Sequence, residues 1–382
     1  MTPLPPLGSS LVVCSLEPWS AVRRRIRILV DELVGRDPSL QVLYVAPAVD
    51  IPFELLNRRR GALAGPRLEQ VHPQVHVLRP RKWLPRSLGP FADRSLGRQV
   101  DRTATGLGLH EPLMWINDAS YARFALSTGW PVLYDITDDW LLAPGTERQT
   151  NRLRADDTVL LDRSDAVVVC SPDLARTRGG RREVDLIPNG VDLELFRTPQ
   201  DRPAELPAPP VAVYVGTLHE ERVDVELLVR LATARPDVSI AVVGPDSLGS
   251  SAHRALAVAP NIHLLGPVDY RRVPGFLQHA DVVIIPHLVN RFTESLDPIK
   301  AYECIAAGRP TVSTPVAGFR DLGDPVVITG PGEFVAVVSA TLDAAGPPRV
   351  PSGMTDVPTW HQRADALLAV MQRARSRPRG TP

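Results

Sequence analysis

The chain has 382 residues, 43 basic and 43 acidic side chains, and three cysteines. That length suits two domains of ordinary size, each burying its own core, and zero net charge gives no electrostatic case for nucleic acid or an anionic membrane. Cys14, Cys170 and Cys304 lie far apart in apolar stretches, which argues against a disulfide framework or a zinc site and predicts buried thiols in a reducing compartment.

At the N-terminus no charged region leads into an apolar run, and no segment reaches ~18 apolar residues. A cytoplasmic chain without stable membrane insertion is expected. Residues 10–16 read as a strand, 20–34 as a helix after Glu17-Pro18-Trp19, and 40–45 as a second strand. This is the β-α-β opening of a doubly wound sheet. No G-x-G-x-x-G follows the first strand, which argues against a dinucleotide-dependent dehydrogenase. Arg23, Arg24, Arg25 and Arg27 read as the polar face of the first helix, opposite Val22, Ile26, Leu29 and Val30. A basic patch for an anionic acceptor or a peripheral membrane contact is the other reading, and Arg25 is the position to test. Residues 57–82 are Arg-rich with weak periodicity and read as a loop region.

Strands over 113–118 and 132–140 carry Asn117-Asp118 and Asp138-Asp139 at their carboxyl ends, where ligands sit in open α/β sheets. Helix capping and loop hydrogen bonding account equally well for Asp118, Asp138 and Asp139, and are the preferred account of Asp135. His72, His76 and His110 have no metal-ligand set around them. A strand over 165–172 enters a helix at Pro172, and Asn189-Gly190 marks a turn after the next strand. Residues 197–210 form a Pro-rich linker between a first domain, 1–196, and a second, 211–350. In the second, strands at 211–216, 238–245, 261–267, 281–286, 311–314 and 326–328 alternate with helices, one of them at 270–279. Gly216 at a strand end lets backbone approach a ligand closely. The tail 357–375 is amphipathic, with Trp360, Ala364, Leu367 and Met371 on one stripe.

Residues 293–310 say most about function. Asp297 reads as a helix N-cap, Pro298 as the first helical residue and Gly308 as the stop. This places a helix N-terminus at the carboxyl edge of a parallel sheet, where α/β proteins bind phosphate. Lys300 and Glu303 share one helical face, and a cation beside the dipole's positive end implies that an anion is expected there. Only Lys82 and Lys300 are lysine in this Arg-rich chain, so Lys300 hints at a compact point charge for phosphate. Glu303 could accept from a ribose diol. A surface ion pair on an ordinary helix is the alternative.

The segment resembles the nucleotide-sugar signature of GT-B glycosyltransferases, specifically the retaining family 4 group. There, two glutamates with seven residues between them flank a turn and helix, and an Ala-Gly-(Lys/Arg)-Pro strand entry comes next. Glu303 falls on the second glutamate, Ser295 on the first, with Glu294 beside it, and Ala307-Gly308-Arg309-Pro310 on the strand entry. Asp297-Pro298-x-Lys300-x-x-Glu303 also resembles a bacterial branch of teichuronic acid, cell-envelope type. So do Trp115-Ile116-Asn117-Asp118, Tyr134-Asp135-x-Thr137-Asp138-Asp139-Trp140, and Trp19 with Arg25 after it. Ile187 to Asp192 is similar to the turn that ends the first domain in that family.

The resemblance implies an α/β GT-B fold: two doubly wound, Rossmann-like parallel-sheet domains with a cleft between them, the last helix crossing back to the first. On the donor side it implies Glu303 at the ribose, Gly266, Pro267 and Val268 beside the nucleobase, and Ser295 near the sugar. Gly216, Arg222, Pro298, Ile299 and Lys300 would meet the diphosphate. Asp118 stands where many members carry a histidine and is given a catalytic role with Arg222 and Lys300. Trp19, Arg25, Asn117, Asp138 and Asp139 form the acceptor side.

A retaining glycosyltransferase using a UDP- or GDP-sugar is therefore expected, acting on a sugar, lipid-linked or small-molecule acceptor, with domain closure completing the site. Charge stabilisation of the leaving diphosphate is the main catalytic effect, and neither metal nor cofactor is required. A non-hydrolysing epimerase of the same fold needs clustered His and carboxylate bases, which the scattered histidines oppose. An inactive nucleotide-sugar-binding subunit is the third reading, because Thr217 and Ser295 lack groups the family pattern expects.

Overall fold

Leu11-Val12-Val13 and Val167-Val168-Val169 are buried throughout, as parallel strands become when helices cover both faces of their sheet. The structure is a computed structural model that describes residues 10–20, 22–56, 65–83, 90–143, 145–344 and 357–377. The chain divides into two units, residues 1–20, 24–188 and 361–382 in the first and 21–23 and 189–360 in the second.

In the first unit the strands are β1 Ser10–Cys14, β2 Gln41–Val45, β3 Val49–Asp50, β4 Leu68–His72, β5 Val75–Leu78 and β6 Arg81–Lys82. They continue with β7 Leu113–Ile116, β8 Val132–Ile136, β9 Ala166–Val169 and β10 Asp185–Leu186. Eight of them form one sheet in the order β10-β9-β8-β7-β1-β2-β5-β4, while β3 and β6 pair separately in parallel. Every neighbour in the large sheet is parallel except β4, which runs antiparallel to β5.

The loop expected over 57–82 is thus corrected where it is described, because β4, β5 and β6 fall there; residues 57–64 lie outside the described residues. The cause is an edge position. Residues 68–72 of β4 are mostly exposed, so the strand carries little of the apolar alternation that reveals half-buried strands.

The first helix runs Arg25–Arg36 rather than 20–34 and buries Ile26, Leu29, Val30 and Leu33. It also buries Arg25, 3% exposed, whose guanidinium stands 3.6 Å from Asp135, 0% exposed. Asp135 also accepts from Trp115 Nε1 at 3.1 Å. Burial raises its pKa and Arg25 opposes that rise. Neither the polar-face and acceptor-side readings of Arg25 nor the capping account of Asp135 survives: the two form an internal ion pair. Arg25→Ala should destabilise the first unit by about 3–5 kcal/mol, the usual cost of leaving a buried charge unpaired, seen as an earlier urea midpoint.

The helix Trp360–Ser376 buries Trp360, Ala364, Leu367 and Met371, and from His361 onward it belongs to the first unit. Arg375 donates to the Ser10 carbonyl at 2.8 Å and Arg36 Nε to Asp365 at 3.2 Å.

The second unit has β11 Val211–Val215, β12 Ser239–Val243, β13 Ile262–Gly266, β14 Val282–Ile285, β15 Thr311–Ser313 and β16 Val326–Ile328, all parallel, in the order β13-β12-β11-β14-β15-β16. Alternate β11 residues enter two cores: Val211 and Val213 one, Ala212 and Tyr214 the other. The strand order reverses between β11 and β14, which places a crevice at their carboxyl ends. The expected linker is part of this unit instead. Leu206 is 3% exposed, Gln278 binds the Gln200 N–H at 2.9 Å, and Asp201 and Pro203 pack where a side chain on Gly275 would stand.

Candidate functional site

The crevice is framed by the segments leaving β11 and β14 and by the helix Ile299–Ala307. Gly216 comes directly after β11 at φ +146°, and a Cβ there would stand 2.5 Å from Lys300 Nζ. Only glycine lets the ammonium lie over this strand end. Gly244 comes directly after β12 at φ +144°, where a Cβ would fall 2.2 Å from the Gly216 carbonyl. Its N–H donates to Gly266 O at 2.9 Å, so three glycines line the sheet edge with bare backbone.

Lys300 Nζ donates to Tyr214 OH at 3.0 Å, lies 3.3 Å from His287 Nε2, and sits 4.4 Å from the Tyr214 ring centroid. Tyr214 OH is itself 3.3 Å from His287 Nε2. Burial, the Lys300 ammonium and Arg222 push the His287 pKa well below the usual imidazole range, so the ring is neutral. With an ammonium facing it, Nε2 accepts and the proton belongs on Nδ1. Lys300 therefore has neutral partners. Its charge adds to the positive end of the helix Ile299–Ala307, whose N-cap, Pro298, supplies no side-chain hydrogen bond.

Glu303, one turn on, is 7% exposed. Burial pushes its carboxyl up to about 7, against the Lys300 ammonium and the Tyr270 phenol, which favour the charged form. The surface ion pair is thus not what forms. Arg222 is half-buried, with its guanidinium 5.2 Å from the Phe292 ring centroid. Gly266 closes β13 at φ +75°, and exposed Pro267 and half-buried Val268 come after it.

Two expected details change. Pro298 is the N-cap, with Ile299 the first helical residue, while Asp297 is committed elsewhere. Its carboxylate accepts from the Asn189 N–H and from Tyr302 OH at 2.7 Å, and its carbonyl from the Asn189 side chain. The Asn-Gly turn thus clamps the approach to the helix. Ser295 is 0% exposed and donates to Phe292 O at 2.7 Å within the turn Thr293–Ser295. Its hydroxyl shapes that turn rather than facing the crevice. The neighbouring Glu294 is paired with Arg320.

Tyr214, Gly244 and His287 were not singled out from sequence. Gly244 and His287 lie just beyond strand ends, a signal that applied to them as it did to Gly216. Tyr214 lies within β11, where nothing in the pattern marks it.

In the first unit Asn117, Asp118 and Asp138 line a cavity of about 590 Å3 at the carboxyl ends of β7 and β8, together with Trp140, Leu141 and Arg148. Asn117 is engaged structurally: it accepts from Leu16 N at 3.1 Å and donates to Asp135 O and Thr137 Oγ1, both at 3.2 Å. Asp118 caps the turn Ala119–Tyr121 by accepting from Ser120 N at 2.9 Å. Asp139 is 5% exposed and held by Arg178 at 2.9 Å. Trp19 stacks edge-on against Tyr44 at 5.0 Å and under Arg27 at 4.7 Å. Trp19 and Asp139 are therefore not brought to the cavity wall, and neither is Arg25. Glu17, absent from the sequence expectations as a titrating group, has a buried Oε2. Burial pushes its carboxyl up to about 7, with Arg24 opposing and Asp138 reinforcing the rise.

Residues 209–345 match the family model described as Glycosyl transferases group 1. A Bacillus subtilis (strain 168) protein, provisionally named teichuronic acid biosynthesis glycosyltransferase TuaH, is 22% identical over 369 residues, spanning 88% of this chain and 89% of that one. Sucrose-phosphate synthase from Thermosynechococcus elongatus superposes with a TM-score of 0.67 at 17% identity, covering 95% of both chains. Anabaena Alr3699/HepE, solved in complex with UDP and glucose, gives 0.59 at 17% identity, covering 96% of this chain and 97% of that one.

Proposed function

We propose that this chain, a glycosyltransferase of the GT-B fold, moves a sugar from a nucleoside-diphosphate sugar held in its second unit to an acceptor held in its first, with retention of configuration. The observation that carries the reading is Lys300. An ammonium with only neutral hydrogen-bond partners, set at a helix N-terminus beside a glycine at a strand end, has the charge and the donors of an anion site. A leaving diphosphate is the anion that glycosyl transfer generates.

In this reading the diphosphate lies between Lys300, the N–H groups of Ile299 and Lys300, and Arg222. Glu303 accepts from the ribose hydroxyls, and the backbone of Gly244 and Gly266 passes under the nucleoside. The solved relative that holds UDP favours uridine over guanosine. The TuaH similarity over most of both chains favours an acceptor of cell-envelope type. Asp118 and Asp138 face the acceptor from the wall of the first unit's cavity.

The test is a thermal-shift screen of nucleoside diphosphates, and then turnover of the matching donor. UDP should raise the second unit's midpoint, because a ligand at 100 times its Kd adds about 2.7 kcal/mol. A screen in which no nucleoside diphosphate moves that midpoint would remove the reading.

A further inference from the structure

We infer that one face of the first unit, built on the β3–β6 ribbon and the start of the helix Pro90–Gly106, docks on the surface of an anionic lipid bilayer. Parallel pairing sets Val49 opposite Arg81 and Asp50 opposite Lys82, so both strands run out at the same end. One continues directly into the helix Ile51–Leu56 and the other into Trp83. What they deliver there is apolar and in solvent: Phe53 is 50% exposed, Leu55 56%, Leu56 83% and Trp83 61%.

The helix Pro90–Gly106 is tied to the same ribbon. Gln99 accepts the Arg81 N–H and donates to the Arg81 carbonyl, both at 3.0 Å. The first turn of that helix presents Phe91, 66% exposed. Of the 14 exposed large hydrophobic side chains among the described residues, these five lie at the ribbon's end or on the first turn of the helix tied to it. Such residues scattered singly need no explanation, but gathered they mark a contact surface.

Charge indicates what covers it. Arg94, Arg98 and Arg102 recur every four residues along the helix, so they form one stripe. All three are exposed, and no ion pair engages them among the described residues. Arg94 lies 5.8 Å from the Phe91 ring centroid, which joins the stripe to the apolar patch. A second copy of the chain would set this stripe against its own like charge. An anionic bilayer meets both halves of the surface at once: aromatic and leucine side chains enter the headgroup boundary while arginines meet phosphates. Among the described residues no helix is long and apolar enough to cross a membrane, so the contact lies in the interface plane. It is a local property of a chain whose net charge is zero, and it does not depend on the reaction proposed above.

The test is co-sedimentation of the full chain with phosphatidylcholine vesicles, pure or containing about 30% phosphatidylglycerol. The chain should pellet with the anionic vesicles and far less with the neutral ones. Leu56→Glu with Trp83→Glu, and separately Arg94→Glu with Arg98→Glu, should each weaken binding by about tenfold or more. Val258→Glu, at a residue 70% exposed in the second unit, should leave binding unchanged. Because all the altered side chains are exposed, unfolding midpoints should stay at the wild-type value. Failure to pellet with anionic vesicles, or equal pelleting by wild type and both double variants, overturns the proposal. So does a dimer that Leu56→Glu with Trp83→Glu dissociates while no vesicle is bound, because the patch would then belong to a second copy.

Discussion

Lys300→Ala is expected to lower sugar transfer by about 10²–10³-fold, the usual cost of removing one preorganised donor from a developing oxyanion. Donor affinity should fall as well, by about 1.5–3 kcal/mol, as when a charge-assisted hydrogen bond is lost. The effect is large because neither hydrogen-bond partner of this cation carries a charge. Tyr214 OH at 3.0 Å and His287 Nε2 at 3.3 Å orient the ammonium without consuming its charge, and burial keeps the imidazole uncharged. Isothermal titration with UDP and initial rates with the UDP-sugar separate the two components. Values within about threefold of wild type in both would mean that Lys300 meets no diphosphate.

Glu303 sets a pH dependence whose sign is definite. Its carboxyl is raised from 4.5 to about 7 by burial, so the folded chain holds a proton that the unfolded chain releases. Its contribution to stability is fully present below about 4.5 and is lost as pH rises through about 7. Nucleotide binding runs the other way. A carboxylate accepts two ribose hydroxyls better than a neutral carboxyl does, so affinity should climb as pH rises through about 7, by up to roughly tenfold per unit below that point. Proton release on binding, read by calorimetry in buffers of different ionisation heat, would report the same event. Glu303→Gln should flatten the profile and cost about 1–3 kcal/mol of affinity. An unaltered profile in that variant would assign the titration to another group.

Much of this site was legible because it rests on strand ends and one helix start. Gly216, Gly266, Lys300 and Glu303 sit where periodicity and turn residues mark boundaries, and boundaries are where α/β sheets bind ligands. Tyr214 was not legible: as a core residue of β11 it resembles any buried aromatic, and only the fold turns its hydroxyl toward Lys300. Arg25 and Asp135 failed for a related reason. Sequence patterns assign charge to the surface, and a buried pair 110 positions apart leaves no local trace. The strand β4 was missed because it is exposed along an edge, whereas the buried strands β1 and β9 announced themselves by continuous apolar runs.

The clamp of Asn189 on Asp297 also fixes where the second half of the chain begins as a folding piece. The family match starts at 209 and ends at 345, yet Phe196, Leu206, Val357 and Trp360 are all buried, each 5% exposed or less. A fragment cut to that match would keep Lys300 and Glu303 while shedding the prop that aims their helix. The compact second unit runs over 189–360 together with 21–23, and the proline-rich stretch is anchored to it by buried Pro203 and Leu206, which makes it a poor seam for excision or fusion.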